Sequence, residues 1–258
     1  MKVVILCGGQ GTRLREETEF RPKPLVPIGE RPILWHIMKY FAHSGLREFV
    51  LCLGYRGYMI KEYFLNYEAM NNDVTICLGQ RHAIRYHNAH DEQDLQVTLV
   101  DTGQTSMTGG RVKRIRQYVG DEPFMVTYGD GLADVNLDGL RSFHQEHGRI
   151  ATISTVRPPS RFGMLDINDA RQVARFTEKP QMDTWANAGF MVFNPDIFDY
   201  LDGDNCILER EPLERLAAQG QLMAYQHDGF FFAMDTYREF QALNSLWDSG
   251  HAPWKVWP

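Results

Sequence analysis

The chain has no surplus of positive charge: across 258 residues, 27 Lys and Arg stand against 33 Asp and Glu, a formal net charge of −6. Without a basic field, binding to nucleic acid or to an anionic membrane is disfavoured, and a small anionic ligand would have to be held by local groups. Long apolar runs are missing as well. The longest are of strand length, too short to span a bilayer, and the N-terminal KVVILC enters a glycine loop with no signal-peptide cleavage pattern, so a cytoplasmic protein is expected. Cysteine is scarce. Cys7, Cys52, Cys77 and Cys206 lie far apart without a C-x-x-C pair, and three of them sit in strand-like apolar runs, so they read as buried reduced thiols. His82, His87 and His90 match no closed zinc spacing, and their stretch reads as a solvated hairpin. No low-complexity linker or internal repeat divides the chain, which points to one domain over residues 1–258.

What is present is a core. Hydrophobic residues make up 43% of the chain, enough to fill one large interior. Short runs rich in Val, Ile, Leu and Phe alternate with stretches of helical period, the pattern of an α/β domain with a largely parallel sheet. KVVILC (2–7), REFVLCLG (47–54), DVTICLG (73–79), PFMVTYGD (123–130) and IATISTV (150–156) are apolar on consecutive positions, as strands covered on both faces should be. A helix is expected to start at Pro32, with Ile33, Leu34, Ile37, Met38 and Phe41 on one stripe, and to end at Gly45. Further helices are expected at 58–67, 137–147, 195–201 and 211–219. The C-terminal half is elaborated, with a proline-rich turn followed by short strands at MLDI, VARFTEK and GFMVFN.

Five stretches carry chemistry. GGQGTRL (8–14) lacks the Lys-Ser/Thr pair of a Walker A loop and has Leu14 where a dinucleotide fingerprint needs its third glycine. Its glycines still let a ligand approach the backbone, and Arg13 adds a forked cation suited to phosphate. By composition alone, a tight turn with a surface arginine fits as well; its place at the carboxyl end of a strand favours the ligand site. In PKPLVPIG (22–29), two prolines hold the Lys23 backbone extended and aim its ammonium. TYGDGLAD (127–134) ends a strand on Asp130, a carboxylate suited to Mg²⁺, with Asp134 read as a helix cap. AMDTYREF (233–240) holds a T-x-x-E capping box at Thr236 and Glu239, to which Asp235 is unnecessary, leaving it free to pair with Asp130 around a metal. In RFTEKP (175–180), Glu178 and Lys179 as strand neighbours face opposite ways, so they are not expected to pair with each other.

Taken in order, GGxGTRL, PKP, YGDG, EKP and a late aspartate resemble the sugar-1-phosphate nucleotidylyltransferases. LGYRGYMIKEYF, VTLVDTG, SMTGGRVKR, MDT and the terminal APWK are similar to the members that use CTP and glucose 1-phosphate. The resemblance implies a Rossmann-like nucleotidyltransferase fold, with a mixed, mostly parallel central sheet flanked by helices. It implies Mg²⁺-dependent formation of CDP-glucose and pyrophosphate by a homo-oligomer, a hexamer. It places Leu6, Cys7, Gly8, Gly9, Gln10, Gly11, Thr12, Arg13, Lys23, Ser106, Arg111 and Gly129 on the nucleotide. Arg13, Lys23 and Asp130 fall on catalytic positions, Asp130 and Asp235 on metal ligands, and Gly163, Glu178, Lys179 and Asn187 on the sugar phosphate. The chain departs from the family at Ala188, where a second glycine is usual, at the run Phe230–Ala233, and over residues 80–93. These departures bear on the sugar and keep open UTP or dTTP, another phosphorylated acceptor, or a non-catalytic nucleotide-sugar sensor.

Overall fold

Val3–Cys7 (β1) can be apolar at every position because it is buried on both faces. Val3, Ile5 and Cys7 face one core layer, and Val4 and Leu6 face the other. The structure, a computed structural model, describes residues 1–79, 83–87, 90, 92, 94–160 and 162–258. Beyond β1 come α1 (Arg15–Thr18), a 3-10 turn at Lys23–Leu25, the small hairpin β2 (Pro27–Ile28) and β3 (Arg31–Pro32), α2 (Ile33–His43) and β4 (Glu48–Leu53). Then follow α3 (Gly57–Leu65), α4 (Tyr67–Asn71), β5 (Val74–Ile76), β6 (Ile84–Tyr86) and β7 (Gln96–Asp101). Next are α5 (Thr108–Arg114), α6 (Arg116–Val119), β8 (Phe124–Tyr128), β9 (Gly131–Ala133), α7 (Leu137–His147) and β10 (Ala151–Val156). The C-terminal half holds β11 (Met164–Ile167), β12 (Val173–Thr177), β13 (Ala186–Phe193), a 3-10 helix at Pro195–Tyr200, α8 (Glu211–Ala218), β14 (Leu222–Gln226), β15 (Phe231–Ala233) and α9 (Tyr237–Asp248).

Seven strands form the central sheet in the order β14-β10-β13-β8-β1-β4-β7. Only β13 runs against the others, pairing antiparallel with both β8 and β10, so the sheet is mixed and mostly parallel as expected. On one face lie α2, with Ile33, Leu34, Ile37 and Phe41 buried, and α9 through Leu243. The other face is covered by α5, α8 and the 3-10 helix, through Val112, Leu213, Leu216 and Phe198. Emptying one such position, as in Leu34→Ala, typically costs about 2–5 kcal/mol. Among the described residues, no helix is long and apolar enough to cross a membrane.

The stretch 73–79 corrects the sequence reading. Only Val74–Ile76 is strand, and it pairs with β6 in an exposed two-stranded hairpin outside the central sheet. The sheet's edge is β7 instead, whose alternation of Val97, Leu99 and polar neighbours marks a half-covered strand. Cys77 is therefore exposed and Cys206 half-buried, while Cys7 and Cys52 are buried as expected. The exposed hairpin expected around these histidines is present and His87 is exposed on it, but His90 departs from that expectation. His90 is held between Glu68 and Glu92, 2.9 and 3.3 Å away, with its side chain only 8% exposed. His87 meets Thr75 at 2.7 Å across the hairpin, and His82 lies outside the described residues.

Candidate active site

At the carboxyl end of β1 the glycine loop bends back on itself. Gly11 has φ +63°, and its carbonyl accepts from the Leu14 N–H at 2.9 Å and from Thr18 Oγ1 at 2.9 Å. Among the described residues, no acceptor takes the N–H groups of residues 9–13, so they remain available to an anion. The loop is braced from behind by Arg111, buried on α5. Its Nη1 donates to Leu53 O, Thr102 Oγ1 and Gly103 O, and its Nη2 donates to Gly8 O at 3.1 Å. A Cβ on Gly8 would lie 2.1 Å from that guanidinium, which is the physical demand for glycine there. Arg111 thus supports the loop with its donors directed at protein oxygens, a role its sequence motif did not reveal.

Lys23 opens the 3-10 turn rather than standing in extended backbone; the extended residue is Pro22, with φ −66° and ψ 147°. Pro24 fits the second position of such a turn because it has no N–H there to leave unpaired. The Lys23 ammonium donates to Asp130 Oδ2 and to Asp235 Oδ1, the latter at 2.8 Å, and Arg13 Nη2 lies 2.9 Å from the same Asp235 oxygen. Burial alone would lower the lysine pKa, but the charges and hydrogen bonds of Asp130 and Asp235 outweigh it and hold the pKa above its ordinary value.

Backbone pairing brings the two aspartates together. β15 runs antiparallel to β9 with Ala233 opposite Gly131, and the Met234 N–H donates to Asp130 O at 2.9 Å, so Asp130 and Asp235 flank the same ladder end. The capping box then fixes Asp235: Thr236 and Glu239 form it as expected, and Glu239 Oε2 also accepts the Asp235 N–H at 2.7 Å. Asp134 does not cap a helix. Its Oδ1 accepts the Phe230 N–H at 2.6 Å and lies 3.0 Å from His227 Nε2, pinning the run before β15, while Asn136 caps α7. The Phe230–Ala233 run thus contains the strand, β15, that delivers Asp235.

These parts enclose a cavity of about 340 Å³, within the range of small-ligand sites. Its wall includes Leu6 to Gly9, Gly11 to Arg13, Lys23, Ser106, Arg111, Gly129, Asp130 and Asp235. Gln10 lies outside it, beside Arg15 and Tyr55. The Gly129 N–H is already donated to Leu6 O at 3.1 Å. One ammonium touching oxygens of both Asp130 and Asp235 shows that the two carboxylates converge on a single cation position. Two carboxylates, with no third His, Cys, Asp or Glu completing a cluster among the described residues, suit an ion that takes its remaining ligands from phosphate and water.

Gly163, Glu178, Lys179 and Asn187 do not line this cavity. Lys179 borders a second, shallow cleft of about 540 Å³ with Phe232, Thr236, Arg238 and Glu239. Glu178 and Lys179 do pair, Oε1 to Nζ at 3.7 Å, contrary to the strand argument. β12 ends at Thr177, and Lys179 has φ +46°, so strand alternation no longer separates them. Gly163 sits beneath this turn, where a Cβ would come 3.1 Å from Glu178 Oε2. Asn187 Oδ1 accepts the Gly189 N–H at 2.8 Å. Tyr128, Met107 and Thr108 also line the main cavity and were missed. The available signal was the strand end TYGD, whose tyrosine stands two residues before Asp130.

Known proteins resemble the chain in sequence and fold. A family model described as nucleotidyl transferase matches residues 2–248. The chain is 51% identical to a glucose-1-phosphate cytidylyltransferase of Salmonella typhimurium over 100% of both chains. It is 31% identical to the catalytic subunit beta of a mannose-1-phosphate guanylyltransferase of Danio rerio, over 93% of this chain and 62% of that protein. Among solved structures, HddC from Yersinia pseudotuberculosis superposes with a TM-score of 0.70 at 22% identity, covering 95% of this chain and 99% of that one. A UDP-glucose pyrophosphorylase gives 0.69 at 17% identity, covering 96% and 98%. The structural likenesses speak for the fold, and with the family model laid over nearly the whole sequence, the chain belongs to the nucleotidyl transferase family.

Proposed function

We propose that the chain transfers a cytidylyl group from CTP to α-D-glucose 1-phosphate, giving CDP-glucose and pyrophosphate. The observation that carries this is the convergence of Arg13, Lys23, Asp130 and Asp235 on one cavity, in a chain 51% identical end to end to a glucose-1-phosphate cytidylyltransferase. The physical problem is to bring two polyanions together for in-line attack by a sugar phosphate oxygen on the α-phosphorus. Positioning and charge neutralisation therefore supply most of the catalysis. The N–H groups of residues 9–13 and the Arg13 guanidinium bind the triphosphate, and Arg13 stabilises the pyrophosphate as it leaves. Lys23 exchanges its two carboxylates for the reacting phosphates. Asp130 and Asp235 would hold Mg²⁺, which would supply neutralisation of phosphate charge. Lys179 and Glu178 bind the phosphate and hydroxyls of the sugar, with Gly163 beneath their turn and Asn187 beside Tyr128. The enzyme works in the cytoplasm as a homo-oligomer, a hexamer, as the resemblance implies.

A pyrophosphate-release screen tests this reading, with CTP, UTP, dTTP and GTP each paired with a panel of sugar 1-phosphates. CTP with glucose 1-phosphate should give the highest kcat/KM. A higher value for UTP or dTTP would move the assignment to that nucleotide, and no release from any pair would leave a nucleotide-sugar sensor.

A further inference from the structure

Tyr128 ends β8 and Thr108 begins α5, and both line the cavity. Their hydroxyls share one carboxylate that stands behind the wall. Tyr128 Oη donates to Glu209 Oε1, and Thr108 Oγ1 donates to Glu209 Oε2 at 2.6 Å. Thr108 Oγ1 also accepts the Leu208 N–H at 2.9 Å. The arrangement is locked from both sides. A Cβ on Gly189, with φ +83°, would lie 2.5 Å from Tyr128 Cδ2, so the ring packs directly on backbone. The Met107 N–H donates to Asp204 O at 2.8 Å and the Gly110 N–H to Cys206 O at 3.1 Å, which straps the segment before Glu209 onto α5. Burial, and then the charge of Glu209, push the Tyr128 phenol well above its ordinary pKa, so it keeps its proton.

A hydroxyl has one proton and two lone pairs. Because Glu209 takes both protons, Tyr128 and Thr108 can offer the cavity only the lone pairs that the protein has not already engaged: the Leu208 N–H takes one on Thr108, and the Asn187 side chain bonds Tyr128. We propose that Glu209 is a positioning residue that makes this wall a hydrogen-bond acceptor, selecting a substrate group that donates to it. Two groups of the proposed substrates have that chemistry: the exocyclic amino group of the base and the hydroxyls of the sugar. A keto oxygen at that point would face lone pairs instead of a donor, and a deoxygenated carbon would bring no proton to them, so either would bind less well than a group that donates. The inference rests on the proposed cytidylyl transfer and deepens it.

Glu209→Gln keeps the shape but replaces one acceptor oxygen with an NH₂ donor, so one of the two hydroxyls must turn its proton into the cavity. Wild type, Glu209→Gln and Tyr128→Phe are assayed with CTP and UTP against glucose 1-phosphate and its 2-, 3-, 4- and 6-deoxy analogues. Glu209→Gln is expected to raise KM for one substrate by about five-fold or more, with kcat within about two-fold. Tyr128→Phe should raise KM for the same substrate. A reduced preference for CTP over UTP identifies the amino group as the donor; reduced discrimination against one deoxy sugar identifies a hydroxyl. Unchanged KM and unchanged discrimination overturn the proposal, as does an equal loss of kcat with every substrate pair, which marks a purely structural role. Wild-type turnover of CTP with glucose 1-phosphate is the control: its absence would overturn the reaction itself and is told apart from failure of the Glu209 role.

Discussion

Lys23 touches both aspartates, so its ammonium occupies the point on which their oxygens converge. Removing it should act in two ways. Lys23→Ala and Asp130→Ala should each lower kcat by orders of magnitude with far-UV circular dichroism unchanged, since neither side chain belongs to the apolar core. Near wild-type rates in both variants, with substrates and magnesium saturating, would sink the mechanism. Lys23→Met should also bind Mn²⁺ more tightly than wild type when no nucleotide is present, because two carboxylates then face each other without the cation that neutralised them. Electron paramagnetic resonance of free Mn²⁺ measures this directly, and equal or weaker binding would show that the ammonium does not compete. Lys23 and Asp130 were legible in the sequence because each stands beside stiff or glycine-bracketed backbone at a strand end. That Asp235 meets them was not legible. Their meeting depends on the ladder between β9 and β15, about a hundred residues apart, and nothing local to either aspartate encodes it.

At the scale of elements, the start of α9 is both a helix cap and a support for the site. Glu239 accepts the N–H groups of Asp235 and Thr236, so Glu239→Ala releases the backbone that aims a metal carboxylate. It should cost about 1 kcal/mol of stability, the usual worth of a cap, and also weaken Mn²⁺ binding in the presence of CTP. Thr236→Ala should cost similar stability, since it breaks the same box, yet change metal binding less because Glu239 still holds the Asp235 amide. Equal metal affinity in both variants would reduce Glu239 to a cap alone. The box was visible as T-x-x-E, and the buried strands β1, β4, β8 and β10 were visible as continuous apolar runs. The weaker elements were not. β7 is half-covered and interrupted by polar residues, whereas 73–79 is apolar but pairs only with β6, so hydrophobicity alone ranked them in the wrong order. Nor did composition reveal α5, whose two glycines are poor helix formers. Gly109 and Gly110 are there because Asp204 and Cys206 lie within 3 Å of where their Cβ atoms would be.

At the scale of the whole molecule, the segment around Trp254 packs back on α2. Trp254 is fully buried, stacked between Trp247 and Phe230, and its Nε1 donates to His36 Nδ1 at 3.3 Å. His36 Nε2 lies 2.9 Å from Ile28 O, so the neutral ring with its proton on Nε2 satisfies both partners. Protonating Nδ1 would set two donors against each other in an apolar setting. Burial accordingly lowers the His36 pKa to about 4, against an ordinary value of about 6.5. The unfolded chain therefore binds more protons than the folded one between those two values, so stability is fully present above pH 6.5 and declines as the pH falls toward 4. At about 1.4 kcal/mol per unit, the His36 share of that decline is on the order of 3 kcal/mol. His144, also held below its ordinary pKa by burial, adds a loss of the same sign, so wild type alone cannot isolate His36. Urea unfolding of wild type and His36→Gln at pH 7.5, 5.5 and 4.5 separates them: the variant should be less stable at pH 7.5, and the gap should shrink steadily with acid. A gap that stays constant across the series would mean that His36 titrates alike in the folded and unfolded chain, and that Trp254 is held on α2 by packing alone.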